Sequence, residues 1–275
     1  MTHRVLMCEP VHYRIDYEIN PWMRRSNRVD GERALAQWRR LRERIEDLGV
    51  AVDLIEQAPE APDMTFTANA GVVLGERFIP SNFRFEERQP EEDHFIRWFR
   101  QAQYTVETIH LPHYWEGEGD VLPTDDRVFA GYRYRTEFRA LDHLEEVLGR
   151  YLVRVELADE RFYHLDTCFA PLGDGSAMYV PDAFTAEGRG HIERHFDDLI
   201  AVAPEESLRF ACNALVVDRE VVMNTGCPET VRALRERGYE AVESATDEFI
   251  KAGGSVKCLT LMLDAFEPLV ETRDE

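Results

Sequence analysis

Five short polar motifs recur along this chain at a period of about 48 residues, and that period constrains the fold more than any other feature. They read FTANAG from residue 66, GEGD from 117, HLDT from 164, CNAL from 212 and KCLT from 257. Two apolar runs joined by a turn accompany each of the first four: GVVLGERFIP, DVLPTDDRVFAGY, CFAPLGDGSAMYV and ALVVDREVVMN. Their turn cores LGER, TDDR, LGDG and VDRE are hairpin material. KCLT leads into a single strand, LTLML, with no partner after it. The N-terminal strand RVLMCEP is spare, so it is expected to complete the fifth unit and close a ring. The predicted fold is therefore α/β, five ββαβ units around a pseudo-fivefold axis in a single domain over residues 1–275.

Helical periodicity fills the intervals between hairpins. Asp30 is expected to cap a helix carrying Leu35, Trp38, Leu41, Ile45 and Leu48 up to Gly49. Pro90 opens a second, with Phe95, Trp98, Phe99 and Ala102 on one face. Thr136 is read as the cap of a third, bearing Phe138, Leu141, Leu144 and Leu148 before Gly149. Thr185 opens a fourth with Ile192, Phe196 and Leu199, and Pro228 a fifth with Val231 and Leu234, closed by Gly238.

Composition bounds the partners. With 32 Lys plus Arg against 53 Asp plus Glu, the formal charge is −21, which repels phosphate backbones and favours small cations. No apolar run reaches the roughly 18 residues of a membrane span, and MTHRVLMCEP has no signal-like apolar stretch. The expectation is a cytoplasmic chain without nucleic-acid or membrane partners, a homo-oligomer being left open. Five scattered cysteines with no CxxC predict no disulfide framework and no zinc site. His191 and His195 have helical metal-ligand spacing, but HIERH is not HExxH, so no metal is expected there.

A ring places its five motifs around one central pocket. They bring Asp63 and Asn69, then Glu116, Glu118 and Asp120, then His164 and Asp166, then Asn213, then Cys258. Each is commonplace alone; a Cys, a His and several carboxylates around one cavity make a nucleophilic constellation. A carboxylate cluster repels itself without a cation, so the cavity calls for a positively charged ligand. Gly253-Gly254 ahead of Cys258 suits a mobile loop that delivers the nucleophile.

These motifs resemble the guanidine-modifying enzymes of the pentein fold: arginine deiminases, dimethylarginine dimethylaminohydrolases, arginine dihydrolases and amidinotransferases. The resemblance rests on PDMTFTANAG, FRFEERQPE, WEGEGD, RYRT, HLDT and GGSVKCLT, in family order over nearly the whole chain. It implies Cys258 as nucleophile, His164 as general acid/base and Glu116 as the carboxylate beside His164, with Glu118 as its rival. It implies Asp63 and Asp166 as grips on the guanidinium nitrogens and Phe66 on the guanidinium face. Arg88 and Arg135 would bind a substrate carboxylate, with Arg84 and Arg133 as rivals, and Asn20 falls on a substrate loop. No metal or organic cofactor is implied.

Two positions discriminate within the resemblance. HLDT differs from the HLKS of dimethylarginine-specific members, and Asp166 favours an unsubstituted terminal nitrogen. Asn69 stands where deiminases carry Asp, a pattern of arginine dihydrolases, which take arginine to ornithine, ammonia and carbon dioxide. The expected function is thus cysteine-dependent hydrolysis of the guanidino group of arginine, to ornithine or to citrulline. A dimethylarginine dimethylaminohydrolase, an amidinotransferase and a non-catalytic binding pentein are the alternatives.

Overall fold

The computed structural model describes residues 3–108, 112–124 and 127–266. Among them are five three-stranded sheets, one for each repeat. In the first, Gly71–Leu74 pairs antiparallel with Arg77–Pro80, and after the helix Pro90–Gln101 the strand Thr105–Val106 adds parallel to Arg77–Pro80. The second repeats this with Val121–Pro123, Val128–Tyr132, the helix Ala140–Leu148 and Leu152–Glu156. The third uses Phe169–Gly173, Ser176–Tyr179, Ala186–His195 and Asp198–Ala201, and the fourth Leu215–Val217, Glu220–Met223, Pro228–Glu236 and Glu240–Glu243. Each unit is ββαβ, its helix serving as the crossover that a parallel pair requires.

The fifth sheet closes the ring as expected. Leu261–Met262 pairs antiparallel with Arg4–Cys8, and Ala51–Ile55 lies parallel to Arg4–Cys8 beyond the helix Gly31–Asp47. A strand from the start of the chain is therefore the central strand of the last unit. Val5, Leu6, Met7 and Cys8 are fully buried there.

Local chemistry explains most helix limits. The Asp30 carboxylate accepts from Arg33 N at 3.1 Å, and Thr185 Oγ1 accepts from Gly188 N at 3.2 Å. Gly149 closes its helix at φ +62°. Phe99 is fully buried and stacks on Phe78, ring centroids 3.6 Å apart. Two expectations need correction. Thr136 caps no helix: that helix begins at Ala140, and Thr136 Oγ1 instead accepts from Glu116 N and donates to Asp120. Phe138 consequently precedes the helix and is half exposed. Likewise the helix opened by Thr185 ends at His195, so Leu199 belongs to the following strand. The TDDR turn includes residues 125 and 126, outside the described residues.

The first three motifs are short helical turns (Thr67–Ala70, Gly117–Asp120 and Leu165–Thr167) and the other two are non-helical turns, and all five lead toward the first strand of their unit. They touch around the axis. Leu165 N donates to Asp120 Oδ1 at 3.0 Å, Asn213 Nδ2 to Asp166 O at 3.0 Å, Lys257 N to Asn213 O at 3.2 Å and Ala68 N to Cys258 O at 3.2 Å. The first and second motifs meet backbone to backbone at Gly117, where φ is +55° and a Cβ would stand 2.7 Å from Gly71 N.

Because Leu6 lies in the strand that closes the ring, Leu6→Ala is expected to cost about 2–5 kcal/mol. A urea titration followed by circular dichroism measures this; a change below 1 kcal/mol would show that the closing strand is dispensable.

Candidate active site

Cys258, His164, Glu116 and Asp166 are each at most 2% exposed, so their charges are uncushioned by water. Cys258 N donates to Asn213 Oδ1 at 3.1 Å. Asn213 Nδ2 points at Cys258 Sγ from 3.1 Å, and Sγ lies 3.2 Å from Asp166 Oδ2. Burial, with the nearby Asp166 carboxylate, holds the Cys258 thiol well above its ordinary pKa. Cys258 rests as a thiol. Burial likewise pushes Asp166 up to about 7, against the pull of Lys257.

His164 Nε2 is 2.7 Å from Glu116 Oε2, which also accepts from Arg135 Nη1 at 2.9 Å. Burial alone would raise the Glu116 pKa, but the Arg135 guanidinium and the His164 contact override it and hold it below the carboxylate range. Glu116 is therefore ionised, and it draws the imidazole proton to Nε2. Burial lowers the His164 pKa to about 4, leaving a neutral ring with a free lone pair on Nδ1. Glu118 is not a second candidate for this place. It bonds Lys257 Nζ at 2.6 Å and Met262 N at 3.1 Å, and it lines a separate apolar cavity of about 150 Å³ with Leu122, Phe169 and Ala214.

The other expected residues converge, with differences. Asp63 Oδ2 accepts from Tyr17 at 3.0 Å, and burial raises its pKa. Asn69 Oδ1 accepts from Arg88 Nη1 at 2.7 Å. Arg88 is also clamped by Glu91, Nε to Oε1 and Nη2 to Oε2 both at 2.8 Å. Arg135 lies between the rings of Phe85 and Tyr163, at 4.7 and 4.5 Å, at the edge of a cleft of about 410 Å³ that Asn20 also lines. Arg84 and Arg133 are exposed. Asn20 clips its segment to the nucleophile loop, Nδ2 to Ala252 O at 2.9 Å.

The glycine pair reads differently in three dimensions. Gly253 adopts φ +85°, and its carbonyl accepts from Tyr163 at 2.8 Å. Gly254 lies so close against Phe66 that no Cβ fits. The pair serves close packing around the loop, not looseness. Sequence reasoning missed Tyr17, Glu91 and the holding role of Asn213. Asn213 carried a signal in its place at the head of the fourth repeat, and Glu91 in ending the motif FRFEERQPE, though neither signal gave its role.

Four buried atoms here have no hydrogen-bond partner: Asp63 Oδ1, Asn69 Nδ2, His164 Nδ1 and Asp166 Oδ1. Buried polar atoms are normally paired, so unpaired ones mark places where a ligand makes the missing bonds. They are two carboxylate acceptors, one amide donor and one imidazole nitrogen; of their residues Asp166 reaches Cys258, Oδ2 to Sγ at 3.2 Å, and Asn69 and His164 both flank Gly119. Among the described residues no three His, Cys, Asp or Glu side chains gather to hold a metal ion, and His195 Nδ1 turns to His191 O at 2.6 Å.

Residues 10–264 match the family model of eukaryotic N,N-dimethylarginine dimethylhydrolase. The chain is 41% identical over 272 residues to the bifunctional arginine dihydrolase/ornithine cyclodeaminase ArgZ of Synechocystis sp., covering 97% of this chain and 38% of that protein. It is 38% identical to N(G),N(G)-dimethylarginine dimethylaminohydrolase of Mycobacterium tuberculosis, covering 94% of this chain and 85% of that enzyme. The N-terminal domain of ArgZ, solved as an asparagine-to-serine variant covalently bonded to a reaction intermediate, superimposes with a TM-score of 0.93 at 40% identity, covering 98% of this chain and all of that one. The fold and these matches define a pentein of the guanidine-modifying superfamily. The chain belongs to the dimethylarginine dimethylaminohydrolase family. It spans less than two fifths of the bifunctional relative's length. Among the described residues no helix is long and apolar enough to cross a membrane.

The Asp166 environment has a pH consequence. Its ordinary carboxyl pKa is 3.8 and its folded value is about 7. Between those values the folded state holds a proton that the unfolded state has lost, so this group's contribution to stability falls as pH rises from about 4 to 7. Asp166→Asn removes that loss, while the opposite effect of His164 is common to both proteins. The variant's gain in melting temperature over wild type is expected to be larger at pH 8 than at pH 4.5. Equal gains at both pH values would contradict the raised carboxyl.

Proposed function

We propose that the chain is a cysteine-dependent hydrolase of the guanidino group of L-arginine, and that it carries arginine through to ornithine, ammonia and carbon dioxide. One observation carries this reading: among the described residues four buried polar atoms of the ring motifs, on Asp63, Asn69, His164 and Asp166, lack partners, and N–H donors of a guanidinium suit the two carboxylate oxygens while an oxygen acceptor suits the Asn69 amide. Asp63 and Asp166 accept from guanidinium N–H groups, and the entering charge favours their ionised forms and the Cys258 thiolate. Among the described residues two of the five Arg135 donors are engaged, by Glu116 and by Ile19 O, and Arg135 reads the substrate carboxylate from the cleft edge. Arg88 supplies the donor that Glu91, Asn69 and Asp63 O leave over.

The steps follow from these groups. The thiolate forms a C–S bond to the guanidinium carbon, and His164, holding the thiol proton, gives it to a terminal nitrogen that leaves as ammonia. Water then adds, its proton taken by His164, and the thiolate departs from a neutral ureido group. An Asp at position 69 would repel the ureido oxygen; the Asn69 amide N–H binds it. The ureido carbon stays near Cys258 for a second attack, which expels the δ-nitrogen of ornithine, protonated by His164. Water hydrolyses the remaining S-carbamoyl group to ammonia and carbon dioxide. The sum is arginine plus two waters to ornithine, two ammonia and carbon dioxide. The presence of a bifunctional arginine dihydrolase among the relatives supports this reading.

Amino-acid analysis of completed reactions tests it. Wild type is expected to end at ornithine and Asn69→Asp at a mixture richer in citrulline. Cys258→Ser is expected to lose turnover at least about a thousandfold while melting as wild type does. Citrulline as the sole wild-type product would end the dihydrolase reading and keep the hydrolase.

Dimethylarginine hydrolysis is the second reading, favoured by the 38% identity to the mycobacterial enzyme. Methyl groups on the terminal nitrogen remove the donors that Asp166 or Asp63 would accept, at about 1–3 kcal/mol per unpaired oxygen. Arginine is therefore expected to exceed asymmetric dimethylarginine in kcat/KM by about tenfold or more. Parity in a direct comparison of the two substrates would favour the second reading.

A further inference from the structure

The orientation of the Asn69 amide matters for the dihydrolase reading, on which the following rests. Its carbonyl oxygen is turned away from the reacting groups by Arg88 Nη1, 2.7 Å distant. Its Nδ2 is buried and unpartnered. A Cβ built at Gly119 would stand 2.5 Å from that Nδ2 and 3.1 Å from His164 Cγ. The amide N–H group and the catalytic imidazole thus flank one bare backbone position, and any side chain there would push them apart. A reversed amide would present an oxygen where the ureido oxygen arrives, with the same repulsion as an Asp.

Arg88 can hold the amide this way only because its own guanidinium is held. Glu91 grips it with both oxygens at 2.8 Å in a pocket where Glu91 is fully buried and Arg88 nearly so. Glu91 occupies the first turn of the helix Pro90–Gln101, a place that favours a carboxylate. Its hydrogen-bonded contact with the site runs through Arg88 alone. A bidentate carboxylate fixes both the position and the rotation of a guanidinium, which a single contact does not.

We infer that Glu91 is a positioning residue that sets, through Arg88, which end of the Asn69 amide faces the substrate, and thereby sets how far hydrolysis proceeds. For holding the guanidino group, the first hydrolysis relies on the cation-binding carboxylates. The second asks for the Asn69 N–H to retain the neutral ureido group. Glu91 therefore governs the product partition more than the first turnover.

Glu91→Gln keeps the side-chain shape and removes the charge that locks Arg88. The expected result is a fall of about tenfold or more in the ornithine-to-citrulline ratio from arginine, read by amino-acid analysis at partial and full conversion. A general structural defect would lower total turnover and leave the ratio in place. Gly119→Ala disturbs the same amide from the opposite side without touching Arg88 and also presses on His164, so total turnover is expected to fall while the ratio moves the same way, and the inference stays testable if Glu91→Gln folds poorly. In an Asn69→Asp background, Glu91→Gln is expected to produce no further shift, because the group it orients is gone. A folded Glu91→Gln protein with the wild-type ratio, while wild type makes ornithine, overturns the inference alone. A wild type that stops at citrulline overturns the dihydrolase reading and this inference with it.

Discussion

The contacts between successive motifs around the axis are the constraint on which everything else rests. Each motif is bonded or packed to the next: Gly117 against Gly71, Asp120 to Leu165, Asp166 to Asn213, Asn213 to Lys257 and Cys258 back to Ala68. These are mostly backbone bonds or side chain-to-backbone bonds, so they fix main-chain positions and not only side chains. Cys258, His164, Asp63 and Asp166, contributed by distant stretches of sequence, are thereby held in one frame. Precise chemistry from scattered residues needs such rigidity, because small displacements of reacting groups cost large factors in rate.

The frame encloses more negative than positive charge. Two arginines are each matched to one carboxylate, Arg88 to Glu91 and Arg135 to Glu116. Asp63 and Asp166 have no such partner, and burial raises both of their pKa values. A fold selected for stability alone would replace them with apolar groups. Their retention has a physical logic in a site for a cation, since the ligand supplies the charge that the protein omits. The same burial keeps Cys258 a thiol at rest, as it does Cys8, Cys168, Cys212 and Cys227, whose thiol pKa values are all raised.

The architecture was legible because a repeat writes itself five times, and each copy corroborates the others. Hairpins, helices and the closing strand all followed from one period. The gathered site residues were legible for the same reason, since equivalent places in five units converge. What failed was local. Thr136 has the composition of a cap, yet its hydroxyl is required by Glu116 N and Asp120, partners more than fifteen positions away. Gly253 and Gly254 look like a hinge, but the contacts that demand glycine come from Tyr163 and Phe66. Glu91 reads as an ordinary acidic residue in a first helical turn. Its burial depends on the inward path of Arg88, which no spacing announces.

The strand Arg4–Cys8 sits between Leu261–Met262 and Ala51–Ile55, joining the two ends of the described chain in one sheet. During synthesis Arg4–Cys8 meets Ala51–Ile55 early and waits for Leu261–Met262 until the four intervening repeats have been made. Cys258 lies only three residues before that late neighbour. A chain still short of residue 258 therefore carries the earlier units without Cys258, and its strand Arg4–Cys8 stays without one edge partner until residues 261–262 are made. Closing so long a loop is also a slow, entropically costly step. The order of manufacture itself keeps the five motifs from meeting until the ring is whole.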